Sequence, residues 1–369
     1  MRKQQLKNME WWILICVLIL CAIGFVALYS VSYETEFSEL KRQITWFGLS
    51  FLVMVIIALI DYEIIAKVSP IWYAFFIILL VGVLFTEPVD GASRWFDIGS
   101  FSLQPAEFAK IFVILFLAYV MSKIQESGLY KINKIKWLAL VLLIAAVPIL
   151  LIVKEPDHGT AIAYMLITAF MLFAAGIDKK YVISVIILAV ISVPLLYNFV
   201  LPDYAKTRID VFLNPDIDPR GSGYNIIQSK LAVGAGELFG MGLLQGNQTQ
   251  LGYLHPKTTD FIFAAIGEEM GFIMTATIVI LYVFLITKAI YVAKTAKDNL
   301  GSYIAVGIAA IFFFHMTENI GMTIGLLPIS GIPLPFISYG GSSMITSFTC
   351  IGLLLNISSK RQKTIFINR

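Results

Sequence analysis

The sequence predicts an all-α integral membrane protein: ten transmembrane helices forming a single polytopic domain over residues 1–369, with one large extracytoplasmic loop between spans seven and eight. Three observations lead there. Of 369 residues, 59% are hydrophobic and 14% charged, with a mean hydropathy of +0.84, whereas a soluble domain carries ~25% charge. The charges that do occur bracket apolar stretches of the ~20 residues that a helix needs to cross a bilayer. Lys and Arg are also segregated, 17 of 27 falling in six short segments that total 62 residues. The same composition excludes a disordered chain and a disulfide scaffold. A net charge of +3 over 41.1 kDa leaves no basic excess for a nucleic-acid partner.

Each span follows from the charge spacing. Glu10 to Glu34 encloses 23 uncharged residues, Arg42 to Asp61 encloses 18, and Lys67 to Glu87 encloses 19. A fourth span starts near Pro105, a residue suited to a first helical turn, and passes Glu107 and Lys110 to reach Lys123. Further spans lie at 137–153, 158–177, 181–202, 261–287 and 299–325. The last uncharged stretch, 319–359, holds 41 residues and is broken by Pro328, Pro333, Pro335, Gly340 and Gly341. It divides into the end of span nine, a loop sunk in the protein, and span ten at about 341–357.

The basic segments are 1–10, 61–68, 123–136, 177–180, 288–301 and 358–369. Placing them in the cytoplasm satisfies the positive-inside rule and puts both termini in the cytoplasm. On that topology 18 of the 24 acidic residues lie toward the outer face. No cleavage site follows the first apolar run, so the first span is expected to stay attached. Cys16, Cys21 and Cys350 all fall inside spans and read as small buried hydrophobes.

Residues 202–260 form the one long loop, and a long loop that is not low-complexity is usually functional. Its apolar stretch around Ile226–Val233 predicts a short helix at the membrane surface. The segment GAGELFGMGLLQGNQ that follows lacks the Gly-Lys-Ser/Thr of a phosphate loop and reads as a tight irregular chain.

Four clusters carry the polar chemistry. In RWFDIGSFSLQPAEFAK (94–110), Glu107 and Lys110 share a helix face inside the membrane, where ionisable groups face a cavity or each other; they form either an internal ion pair or a charged cavity wall. Arg94 beside Trp95 adds a candidate anion ligand. In EPDHGTA (155–161), Asp157 either caps the sixth span or faces the cavity. In HPKTTDFIFAAIGEEMG (255–271), Asp260 stands where the long loop enters span eight and is as compatible with an N-cap as with a base. In GIPLPFISYGGSSM (331–344), irregular backbone at membrane depth requires protein burial or a cavity. Three of the four fall at outer helix ends and the fourth begins there, which implies a cavity open to the outside.

At these residues the sequence resembles the SEDS family of bacterial cell-wall proteins, the RodA and FtsW group. RWFDIGSFSLQPAEFAK, PDHGTA, NPDIDPRGSGYNIIQS, TTDFIFAAIGEE and GIPLPFISYGGSS occur in the family's order from about residue 90 to 345. The resemblance implies a peptidoglycan glycosyltransferase that polymerises lipid II, with Asp260 as the essential aspartate, and it carries over Glu107, Lys110, Arg94 and Trp95. Gln104, Asp157, Arg208, Gln245, Lys257, Glu268, Ser338 and Tyr339 are further candidate substrate contacts. The implied reaction needs a base for a sugar hydroxyl and compensation of diphosphate charge, supplied by Arg94, Lys110, or a divalent cation (Mg or Mn) held near Asp260. No organic cofactor is implied. Pro333 resembles the elongation-type RodA branch, where division-type FtsW proteins tend to carry Thr. The implied partners are a class B penicillin-binding protein supplying transpeptidation and other membrane proteins of the elongation complex. Lipid II flipping is the competing expectation.

Overall fold

A computed structural model describes residues 7–87, 93–98, 101–128, 131–199, 206, 210–218 and 222–361. Twelve α-helices are described: α1 Trp11–Val31, α2 Ser38–Leu59, α3 Tyr62–Val83, α4 Pro105–Glu126, α5 Ile135–Lys154, α6 His158–Ala174, α7 Lys179–Phe199, α8 Ser222–Ala235, α9 Asn247–Gln250, α10 Ile262–Thr295, α11 Asn299–Thr323 and α12 Gly341–Ser359. Seven of them, α1, α2, α3, α5, α10, α11 and α12, are long and apolar enough to cross a membrane. Helix α6 is apolar but has 17 residues, and α4 carries Glu107, Lys110, Lys123 and Glu126. The family-like segment before α4 adds one non-helical feature, an antiparallel hairpin of β1 Phe96–Ile98 and β2 Phe101–Leu103 that pairs Phe96 with Leu103.

Helix starts follow capping chemistry more closely than charge spacing. Asp61 accepts from Glu63 N at 3.0 Å, so α3 begins at Tyr62 and Lys67 lies within the helix; counting charges starts this span too late because a long Lys side chain tolerates a place near a helix end. Asp157 caps α6 through Thr160 N at 3.1 Å. Asp298 caps α11 through Gly301 N at 2.8 Å. Helices α11 and α12 are the most buried of the apolar helices. By contrast α3 and α5 present Ile71, Ile78 and Leu143 outward, as a lipid-facing surface requires. Cys16, Cys21 and Cys350 are buried free thiols.

Helix α10 is broken at Gly271, whose φ of 74° lies in the region that only glycine enters readily. The glycine-rich segment repairs the break: Met241 N donates to Glu268 O at 2.9 Å and Gly242 N to Glu269 O at 3.0 Å, while Phe272 N donates to Glu237 O at 2.9 Å and Ile273 N to Leu238 O at 3.2 Å. Backbone groups freed inside an apolar medium need such partners. The approach is close enough that a Cβ at Gly236 would lie 1.8 Å from Gly267 O. Helix α8 begins at Ser222, four residues ahead of the apolar stretch that predicted it, and packs on α10 and α11.

Candidate active site

Asp260 occupies the turn that leads into α10. Phe261 holds the N-cap position and makes no side-chain cap bond, so the N-cap alternative for Asp260 falls away. The turn is fixed from behind by the proline-rich loop: Thr258 O accepts from Tyr339 N at 2.9 Å and Thr259 O from Ser338 Oγ at 2.7 Å. Ser338 is itself tied to α2, because Gln43 Nε2 donates to Ser338 O at 2.9 Å while Gln43 Oε1 accepts from Gly340 N at 3.1 Å. Asn319 Nδ2, on α11, donates to both Asp260 O at 2.9 Å and Ile332 O at 2.8 Å. The Asp260 carboxylate faces Gly331, where a Cβ would lie 3.5 Å from Oδ2.

This packing leaves Asp260 partly open while protein crowds its carboxyl. Burial pushes its pKa above the usual carboxylate range; a hydrogen bond from Thr259 and the charges of Arg94 and His255 pull it down, but less strongly. A carboxylate so placed gains basicity from desolvation yet remains reachable.

A second group surrounds Asp157. Its Oδ2 accepts from Gln104 Nε2 at 3.3 Å and lies 3.9 Å from Arg94 Nε, so the cap residue is also an electrostatic partner. Arg94 donates to Pro156 O at 2.9 Å. Close to Asp157 in the chain, Glu155 is fully buried, and among the described residues neither carboxylate oxygen has a hydrogen-bond partner. Burial first, then the Asp157 charge, push its pKa up to about 8, with Arg94 opposing.

The third group is the α4 pair. Lys110 Nζ lies 2.7 Å from Glu107 Oε1, as an internal ion pair requires, and 2.9 Å from His315 Nε2 on α11. His315 Nδ1 lies 3.0 Å from Pro333 O. All three side chains are buried.

The other candidates are placed elsewhere or hold the loop together. Glu268 is fully buried, and its carboxylate accepts from Gln248 N at 2.7 Å, Thr249 N at 2.9 Å and Thr249 Oγ1 at 2.7 Å; these bonds occupy it as an internal anchor for α9. Lys257 pairs with Glu34 at 3.1 Å and donates to Thr249 O at 3.0 Å, tying the loop to the end of α1. Gln245 is exposed on the glycine-rich segment and Trp95 is 37% exposed. Arg208 lies outside the described residues. Among the described residues no three His, Cys, Asp or Glu side chains converge to hold a metal ion.

Sequence reading passed over Gln43, Glu155, His315 and Asn319. The signal available for the last two was the polar run from His315 to Asn319, one turn long, at the end of the apolar stretch of α11.

The chain is similar to known proteins over nearly its whole length. The chain is 36% identical to the peptidoglycan glycosyltransferase MrdB of Escherichia coli K12 over 356 residues, covering 95% of this chain and 93% of that one. It is 37% identical to the probable peptidoglycan glycosyltransferase FtsW of Trichlorobacter lovleyi, covering 96% and 94%. In fold it is similar to a chain of a peptidoglycan synthase complex in which polymerization and crosslinking are coordinated (TM-score 0.82, 24% identity, 95% of this chain and 97% of that one). It is also similar to the rod shape determining protein RodA of Thermus thermophilus (TM-score 0.71, 23% identity, 96% and 98%). The sequence profile of the FtsW/RodA/SpoVE cell cycle proteins matches residues 10–363. With its apolar helices and this end-to-end match, the chain is a multi-pass membrane protein and belongs to the FtsW/RodA/SpoVE family of cell cycle proteins.

Proposed function

We propose that this chain is a peptidoglycan glycosyltransferase that polymerises lipid II at the outer face of a bacterial cytoplasmic membrane. The observation that carries the reading is Asp260: a partly open carboxylate with a burial-raised pKa, in a turn whose carbonyls at 260, 259 and 258 accept from Asn319, Ser338 and Tyr339. Relatives covering nearly the whole chain at 36% and 37% identity are named for this activity.

In the proposed reaction Asp260 takes the proton of the acceptor sugar's 4-hydroxyl as its oxygen attacks the donor's anomeric carbon. The bond from that carbon to the diphosphate breaks, undecaprenyl diphosphate leaves unprotonated, and the configuration inverts. Arg94 and Lys110 offset the charge that grows on the leaving group. A divalent cation held near Asp260 would supply the same compensation to the diphosphate, and no step above depends on it.

The proposal extends to topology and partners. All ten helices of 17 residues or more are assigned as spans, with both termini cytoplasmic, which places α8, α9 and Asp260 outside. A class B penicillin-binding protein and other elongation-complex membrane proteins are the assigned partners, supported by the fold similarity to a chain of a peptidoglycan synthase complex. Pro333 in GIPLPF supports an elongation role, and depletion is expected to give round cells; filaments would assign the chain to division.

The test is polymerisation of labelled lipid II by the purified protein with its cognate partner in detergent. Polymer made by the wild type and lost in Asp260→Asn is the expected result. A wild type that makes no polymer yet moves lipid II across vesicle membranes would make the protein a flippase.

A further inference from the structure

Lys110 carries three N–H donors and no acceptor as an ammonium. One is directed at Glu107 Oε1, 2.7 Å away on the same helix, and a second at His315 Nε2, 2.9 Å away on α11. The other ring nitrogen, Nδ1, lies 3.0 Å from Pro333 O. A carbonyl only accepts, so Nδ1 must carry a hydrogen, while Nε2 must offer its lone pair to the ammonium. These two partners select the uncharged Nδ1–H tautomer.

We propose that His315 is a positioning residue that fixes the Lys110 ammonium for the glycosyl transfer; this rests on the glycosyltransferase reading above. A contact with Glu107 alone, three residues away on one helix, leaves Nζ free to swing about a single partner. The imidazole adds a second bearing from α11 and passes it to the backbone at Pro333. One turn further along the same face of α11, Asn319 bridges Ile332 O to Asp260 O. Cation and base are therefore both referenced to the consecutive carbonyls of Ile332 and Pro333 through residues 315 and 319.

Two substitutions divide the contacts of the ring. In His315→Gln the amide oxygen reaches the Nε2 position and keeps an acceptor for Lys110. In His315→Asn the amide nitrogen keeps a donor for Pro333 O but is too short for Lys110. Initial polymerisation rates against lipid II concentration are expected to show His315→Asn losing about tenfold or more in kcat, with half-saturation changed less than about twofold. His315→Gln is expected to be several-fold more active than His315→Asn. In a Lys110→Gln background, His315→Asn should cost nothing further.

Equal losses in the two variants, a loss additive with Lys110→Gln, or a fall in thermal stability with kcat unchanged would overturn the proposal. Nitrogen-15 NMR of histidine-labelled protein gives a readout independent of turnover, because the chain has 3 histidines and His315→Asn identifies the signal. An Nδ1–H neutral ring between pH 6 and 8 is expected. An Nε2–H or doubly protonated ring refutes the proposal even if polymer is made, whereas absence of polymer with the expected tautomer instead removes the glycosyltransferase reading.

Discussion

Replacing Glu155 with Gln tests the buried charge arithmetic directly. Glu155 is the C-cap of α5; its side chain is fully buried and both oxygens lack partners among the described residues. Burial and the neighbouring Asp157 raise its pKa from an ordinary 4.5 to about 8. The folded chain therefore holds a proton that the unfolded chain has released, and stability falls as pH rises from about 4.5 to about 8. Each pH unit within that window removes ~1.4 kcal/mol, so moving from pH 5.5 to 7.5 removes about 2 to 3 kcal/mol through this one group. Glutamine keeps the shape and cannot ionise. Thermal unfolding of both proteins in detergent at pH 5.5 and 7.5 should show the wild type losing several degrees more than Glu155→Gln over that interval, since ~1 kcal/mol corresponds to a few degrees in a chain of this size. At pH 5.5 the two should unfold at similar temperatures. Parallel pH dependence in both would show that Glu155 titrates in the ordinary range and has a partner, which would refute the reasoning.

The remaining expectations concern Arg94 and Glu268. The Arg94 charge lowers the pKa of Asp260, so Arg94→Gln should move the acid limb of polymerisation upward; the loss of rate should be larger on the acid side of the profile than on the alkaline side, and an unchanged profile shape would exclude electrostatic contact between them. Glu268 accepts three hydrogen bonds from residues 248 and 249, and Glu268→Gln puts an amide donor against those donors. A loss of about 2 to 4 kcal/mol, seen as a lower unfolding temperature and faster proteolysis between α8 and α10, is expected; unaltered proteolysis would place the anchor elsewhere.

Much of the helix layout was legible because apolar stretches bounded by charges are the direct signature of a chain that must satisfy its backbone inside lipid. The method failed where a charge lies inside a helix: Lys67 delayed the start of α3, which Asp61 actually sets. The hairpin at 96–103 was missed because three-residue strands carry too little alternation to register. Asp260 was visible as a carboxylate at a helix entrance, yet its freedom from capping depends on Phe261 taking the cap position. Gln43, His315 and Asn319 were illegible for a different reason. Each acts on a separate loop, Gln43 on a carbonyl at 338, and a polar residue in a membrane helix does not announce which loop it holds.

The two cations assigned to the leaving diphosphate differ in how they are held, and that difference separates their roles. The Lys110 side chain is 1% exposed and lies 2.7 Å from Glu107, with His315 as a further fixed contact; such a pair is a stiff buried dipole whose ammonium pole is held in place. The Arg94 side chain is 25% exposed and lies 3.9 Å from Asp157, longer than a charge-assisted hydrogen bond. Asp157 is meanwhile shared with Gln104 and the start of α6. An incoming diphosphate can therefore draw Arg94 away without stranding Asp157, which keeps two other donors. Drawing Lys110 away would strand Glu107 as a buried unpaired carboxylate, a change that costs several kcal/mol. Under the proposed reaction Arg94 is thus the cation that moves to meet the phosphates, and Lys110 supplies a fixed field toward which the leaving group develops its charge.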